Sequence, residues 1–201
     1  CSEFSRTCQD TMRWAPEAGH IPRRFLGATG APAEVELILV MAEPGDPYAS
    51  ETYPADASPD EFLEAGCVHA YESFCNRRDQ FHANVRHILD LCFPELDFDD
   101  QLRKVWITQS VLCSAPEEGG YVPRSACDAC VKAYLRPQLA VLPNAPVVAL
   151  GGKAQQRLAA IECIPVAHPA PPGCHRAGAR ASWERLAEEI QASQQGGTTV
   201  V

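Results

Sequence analysis

Residues 35–45 read VELILVMAEPG, and this stretch decides the fold. Val35 to Val40 is an apolar, β-branched run closed by Glu43-Pro44-Gly45. Such a run reads as a buried strand that leaves into a rigid loop. Three further runs share the pattern: Val105 to Leu112 (VWITQSVL), Val147 to Leu150 (VVAL) closed by Gly151-Gly152, and the short Ile164 to Val166. Helical signals fall between them. One helix is predicted from about Glu61, capped by Asp60, and another over Phe81 to Leu91, with Val85, Ile88, Leu89 and Cys92 on one side. Others are predicted over Ser125 to Leu142, Ala154 to Ala160 and Ala181 to Ser193. Strands alternating with helices predict an α/β three-layer sandwich, a central, mostly parallel four-stranded sheet flanked by helices.

The 201 residues, 46% of them hydrophobic, suit a single domain over 1–201. Residues 1–34, broken by Pro16, Pro22, Gly27, Gly30 and Pro32, read as an irregular arm with at most a short helix. Asp46 to Pro59 is rich in Pro, Asp and Ser and reads mostly as loop, and 195–201 has the composition of a flexible tail. Charged residues are 21% and mean hydropathy is −0.18, which argues against a disordered chain. The net charge of −9 excludes an overall basic nucleic-acid coat but leaves room for a local basic groove. No apolar run is long enough to cross a bilayer. The chain opens on Cys1, so the lack of a signal peptide is uninformative.

In parallel sheets the chemistry gathers where loops leave the carboxyl ends of strands. Glu43 follows the first strand and suits a general base or an anion facing a cationic transition state, or else a solvated loop acid. Gln109 in the second strand could bond a planar polar ligand such as a nucleobase, or satisfy neighbouring backbone. His168, stiffened by Pro169 after the fourth strand, offers a catalytic or a structural imidazole. Their weight comes from recurring at successive strand exits. The Val147 to Gly152 turn lacks the G-x-G-x-x-G of a dinucleotide site.

Four motifs in order, ILV-x-AEPG, WITQSVLCSAP, VVALGGKA and VAHPAP, resemble the uracil-DNA glycosylase superfamily, closest to its iron–sulfur branch, over about residues 35 to 190. The resemblance implies a monofunctional hydrolase of base-excision repair that flips uracil out of DNA and hydrolyses its N-glycosidic bond. It implies that Glu43 handles water and the cationic sugar, and that His168 stabilises the leaving base. It further implies that Phe81 stacks on that base, although core packing is the other reading of this ring, and that Gln109 reads the base where the family has Asn. Tyr48 joins the substrate-binding set, and His175 and Arg176 lie in the loop that meets DNA. Met41-Ala42 stands where the family has Gly-Glu, and an insertion is expected around 49–76. The implied partner is uracil-containing DNA, single- or double-stranded, met by a cytoplasmic monomer that is nucleoid-associated in a bacterial cell. A non-catalytic or covalent binder of uracil-containing or abasic DNA is the alternative, favoured by Met41-Ala42 and Gln109.

The chain has ten cysteines, too few for a small disulfide scaffold. The resemblance implies a structural 4Fe–4S cluster held by Cys1, Cys8, Cys113 and Cys130, with Cys127 the alternative to Cys130. Zinc on the same thiolates, or ordinary buried thiols, remain open. Cys67, Cys75, Cys92, Cys163 and Cys174 have no ligand spacing and read as apolar fillers.

Overall fold

The computed structural model describes residues 4–23 and 25–196. Strand β2 (Leu37–Met41) is buried along its whole length. It lies at the centre of a five-stranded sheet ordered β1-β3-β2-β4-β5. β3 (Val105–Gln109), β4 (Val147–Leu150) and β5 (Ile164–Val166) join it in parallel. Fully burying a leucine contributes about 1.5–3 kcal/mol. The most apolar run in the chain therefore takes the position covered on both faces.

The fifth strand, β1 (Phe25–Gly27), comes from the arm expected to be irregular and pairs antiparallel with β3. Three residues ending in glycine carry no alternation, so the sequence hid it. Gly27 has a φ of +112°, and a Cβ there would sit 2.1 Å from the Val105 carbonyl oxygen. Only glycine permits that approach. β3 stops at Gln109 rather than Leu112, and Leu112 then donates its N–H to Cys130 Sγ at 3.4 Å.

Helices cover both faces. α2 (Gln80–Cys92), α3 (Phe98–Lys104) and α7 (Ala179–Gly196) pack Val85, Ile88, Leu102 and Trp183 onto Leu37, Leu39, Ile107 and Leu150. On the other face, α4 (Arg124–Cys130) runs through a π-helical turn (Val131–Leu135) into α5 (Arg136–Val141). Val131 and Leu135, together with Ala154 of α6 (Gly152–Arg157), cover Ile38, Val40 and Ala149. The chain is an α/β sandwich about a mostly parallel sheet.

The 49–76 stretch carries α1 (Pro59–Cys75), a helix of 17 residues. Its cap is Ser58 rather than Asp60. The Ser58 hydroxyl accepts from the Glu61 N–H at 3.3 Å, and the Glu61 carboxylate accepts from the Ser58 N–H at 2.7 Å. Pro59 fits the first helical turn because no N–H is needed there. α3 was not expected; Asp97 caps it through the Asp100 N–H at 3.0 Å. α7 continues through Gly196, beyond the helix end predicted at Ser193, so the tail expected from 195 begins in helix, and 197–201 lie outside the described residues. No helix among the described residues is long and apolar enough to cross a membrane.

Candidate active site

The parallel strands bring Glu43, Gln109 and His168 to one edge of the sheet. Glu43 lies two residues past β2, Gln109 ends β3 opposite Met41, and His168 lies two residues past β5. Val105 and Ile107 point into the core shared with α2 and α7. Alternation along β3 therefore puts Gln109 on that same face. Gln109 is half-buried, and its Oε1 is buried without a hydrogen-bond partner.

Phe81, in the first turn of α2, joins this edge with its ring centroid 6.4 Å from that of His168. It is half-buried, also packing near Phe74 at 6.1 Å, so the ring borders the core as well as His168. The Asn84 amide fastens α2 to the histidine loop by donating to the Pro169 carbonyl at 2.7 Å.

His168 sits between two glycines. A Cβ at Gly151 or at Gly173 would come 2.7 Å from His168 Cβ, and Gly151 has a φ of +87°. The Gly-Gly that closes β4 thus makes room for the imidazole. The Ala170 N–H donates to His168 Nδ1 at 3.1 Å. A nitrogen that accepts carries no proton, so the neutral ring holds its hydrogen on Nε2. Burial pulls the pKa of His168 below the ordinary imidazole value, against the Ala170 carbonyl 3.4 Å from Nδ1 and the Glu43 carboxylate, which favour the charged form. The ring is a neutral donor near pH 7.

Glu43 is not a solvated loop acid. Its side chain is 5% exposed, with Oε1 2.8 Å from Lys153 Nζ and Oε2 2.5 Å from an Arg157 nitrogen. Lys153 also donates to the carbonyls of Gly119 and Gly120 at 2.7 and 2.9 Å. Arg157 reaches Ser110 Oγ at 3.3 Å. Sequence reasoning missed both cations. Their signal was the four-residue spacing on the helix that follows Gly151-Gly152, which puts both side chains on one face.

Tyr48 meets the residues that open α2. Its hydroxyl donates to Asp79, which caps α2 by accepting from the His82 N–H at 2.9 Å. The Arg78 guanidinium lies 3.7 Å from the Tyr48 ring centroid. Burial and the Asp79 carboxylate push the phenol pKa up, so Tyr48 stays protonated. What it contacts directly is the start of α2. His175 and Arg176 are exposed in the loop after His168, around a short turn at Gly173–His175.

The cysteines form a second assembly. Cys8, Cys113 and Cys127 share an apolar cluster with Met12, Val111, Val122 and Ala126, with Cys130 packed against it. Cys8, Cys113 and Cys130 line a small cavity of about 20 Å³ with Met12, Leu112 and Tyr134. Burial pushes the thiols of Cys113 and Cys130 up to about 12 and about 11. Cys1 lies outside the described residues. Among those described, no group of three or more His, Cys, Asp or Glu side chains is arranged to hold a metal ion. Of the residues expected as fillers, Cys92 is buried, but Cys75 is exposed at the end of α1 and fills nothing.

Residues 33–190 match the family described as the uracil DNA glycosylase superfamily. No curated protein matches the chain. The matched span takes in the whole parallel sheet and every residue gathered at its carboxyl edge, and the chain belongs to the uracil DNA glycosylase superfamily, glycosylases that act on damaged bases in DNA.

Proposed function

We propose that the protein is a monofunctional uracil-DNA glycosylase working as a monomer in base-excision repair. The observation that carries this reading is the meeting of Glu43, Gln109 and His168 at the ends of three parallel strands, with the Phe81 ring beside His168. A base inside duplex DNA cannot be reached, so the nucleotide rotates out of the stack. Phe81 stacks on it, a contact worth about 1–3 kcal/mol. The unpartnered Oε1 of Gln109 supplies an acceptor for the uracil N3–H, and the amide nitrogen a donor for an adjacent carbonyl.

Cleaving the N-glycosidic bond leaves the electron pair on the base and positive charge on the sugar. The neutral His168 donates from Nε2 to the uracil oxygen as negative charge grows there. A preorganised donor of this kind is worth about 2.7–4 kcal/mol. Glu43 sets a negative charge against the sugar, water then adds to the anomeric carbon, and the proton it sheds is taken up by the departed uracil anion, leaving neutral uracil and an abasic sugar. Lys153 Nζ is already held by three acceptors, Glu43 and two carbonyls, and is not free to attack a carbon. That supports hydrolysis by water over attack by an amine. Arg176 offers positive charge to phosphate, and His175 a hydrogen-bonding ring beside it. We assign this work to the cytoplasm, and in a bacterial cell to the nucleoid.

For the cysteine cavity we retain the 4Fe–4S reading of the iron–sulfur branch. Cys8, Cys113 and Cys130 line one apolar void and are of the donor type such a cluster takes; the resemblance supplies Cys1, outside the described residues, as the fourth ligand. The bound cluster would cross-link the N-terminal turn (Phe4–Cys8) to α4 and would take no part in bond cleavage. Zinc or plain thiols are the other outcomes, and a visible absorption spectrum with metal analysis separates all three.

One observation favours the binder reading: both oxygens of Glu43 are already paired with cations. A uracil-bearing oligonucleotide followed by alkaline cleavage of abasic sites decides the matter. Strand breaks at uracil are expected; uracil-dependent binding without breaks would establish the binder instead.

A further inference from the structure

We infer that Lys153 and Arg157 are positioning residues that brace Glu43 as a fixed anion and join it to the two flanking loops. This rests on the glycosylase reading above. The two carboxylate oxygens are divided between the two cations, at 2.8 and 2.5 Å, and the Glu43 side chain is almost wholly buried. Lys153 donates a hydrogen bond to Oε1, whereas the Arg157 contact at Oε2 is an ion pair without an aligned hydrogen bond, so the two cations fix Glu43 by charge and placement.

Each cation has a second hold. Lys153 takes the carbonyls of Gly119 and Gly120, the glycine pair of the loop between β3 and α4, where Gly119 has a φ of +68°. Arg157 takes Ser110 Oγ, next in chain to Gln109, and that hydroxyl donates to the Ala42 carbonyl at 2.7 Å, next in chain to Glu43. The acid after β2 and the amide that ends β3 are thus held in register through one guanidinium. The glycine loop is held to the same acid through one ammonium. Helix α6 is the brace, and its four-residue spacing lets one short face do both.

The test begins with the wild-type single-turnover rate on a uracil-bearing oligonucleotide. Lys153→Ala is expected to lower that rate about 10–100-fold, the scale of a small misplacement at the reacting centre, with DNA affinity within about twofold. Added ethylammonium should restore part of the rate, and Lys153→Arg should keep most of it. Arg157→Lys should lower the rate with the same preserved affinity. Hydrogen exchange at residues 117–121 should speed up in Lys153→Ala while β2 stays protected. An unchanged rate in Lys153→Ala, or a loss that ethylammonium leaves untouched, overturns the inference. A wild type that excises no base sinks the glycosylase reading instead, and the exchange measurement still decides the brace: unaltered protection at 117–121 overturns it.

Discussion

The carboxyl edge of the sheet and the cysteine cavity are both assembled from residues far apart in the chain, but opposite physics holds them. At the edge, a buried acid is compensated by two cations and a buried amide oxygen is left open. In the cavity, Cys8, Cys113 and Cys130 sit among apolar side chains, and burial holds Cys113 and Cys130 in the neutral thiol form. An edge built on fixed charge should lose function before stability when altered. An apolar cavity should lose stability first, unless a metal occupies it.

The largest expected effects lie at the edge. His168→Ala and Glu43→Gln should each lower single-turnover excision about 10²–10³-fold while leaving DNA affinity nearly unchanged. Equal losses in rate and affinity would show that these residues bind rather than catalyse. Gly151→Ala attacks the same site indirectly, because its Cβ would press on His168 and its φ of +87° is strained for alanine. It should cost more than about 1 kcal/mol of stability, read by thermal melting, and lower the rate as well. Cys113→Ser makes the contrast in the cavity. It should remove the brown colour of a cluster-bearing preparation; in a colourless wild type it should instead lower stability by about 1–3 kcal/mol, from a hydroxyl placed among apolar groups.

Acid should separate the two regions further. Burial lowers the pKa values of His20, His69, His82 and His168 below the ordinary 6.5. The unfolded chain therefore binds more protons than the folded one below about pH 6.5, and stability falls as pH drops through that window. Each such histidine contributes at most about 1.4 kcal/mol per pH unit. Thermal melts from pH 7.5 to 5 should show this decline, and His168→Ala should flatten it. A melting temperature that rises on acidification would contradict the burial of these rings.

How far the sequence was readable follows the same divide. Val35 to Val40, Val147 to Leu150 and the α2 periodicity pointed directly to buried elements, because continuous or evenly spaced apolar residues have few other solutions. Glu43, Gln109 and His168 were visible because strand ends in a parallel sheet share one edge. Hidden were features that depend on approach in space. The Gly27 contact with Val105 makes β1 possible, and the reach of Lys153 and Arg157 to Glu43 crosses more than a hundred residues of chain. The cap at Ser58 was missed because Asp60 nearby satisfies the same local rule.

The smallest effect expected concerns the DNA-facing loop. His175 and Arg176 are exposed a few residues beyond His168, in a protein whose net charge is −9. Against that negative net charge, one phosphate contact should register in the salt dependence of binding. Arg176→Ala should weaken DNA affinity a few-fold at low salt and lower the slope of log affinity against log salt by about 0.9 on duplex or about 0.7 on single strands. The rate for DNA already bound should not change. The two slopes report which form of DNA the loop engages, and an unchanged slope on both would move the phosphate contact elsewhere on the edge.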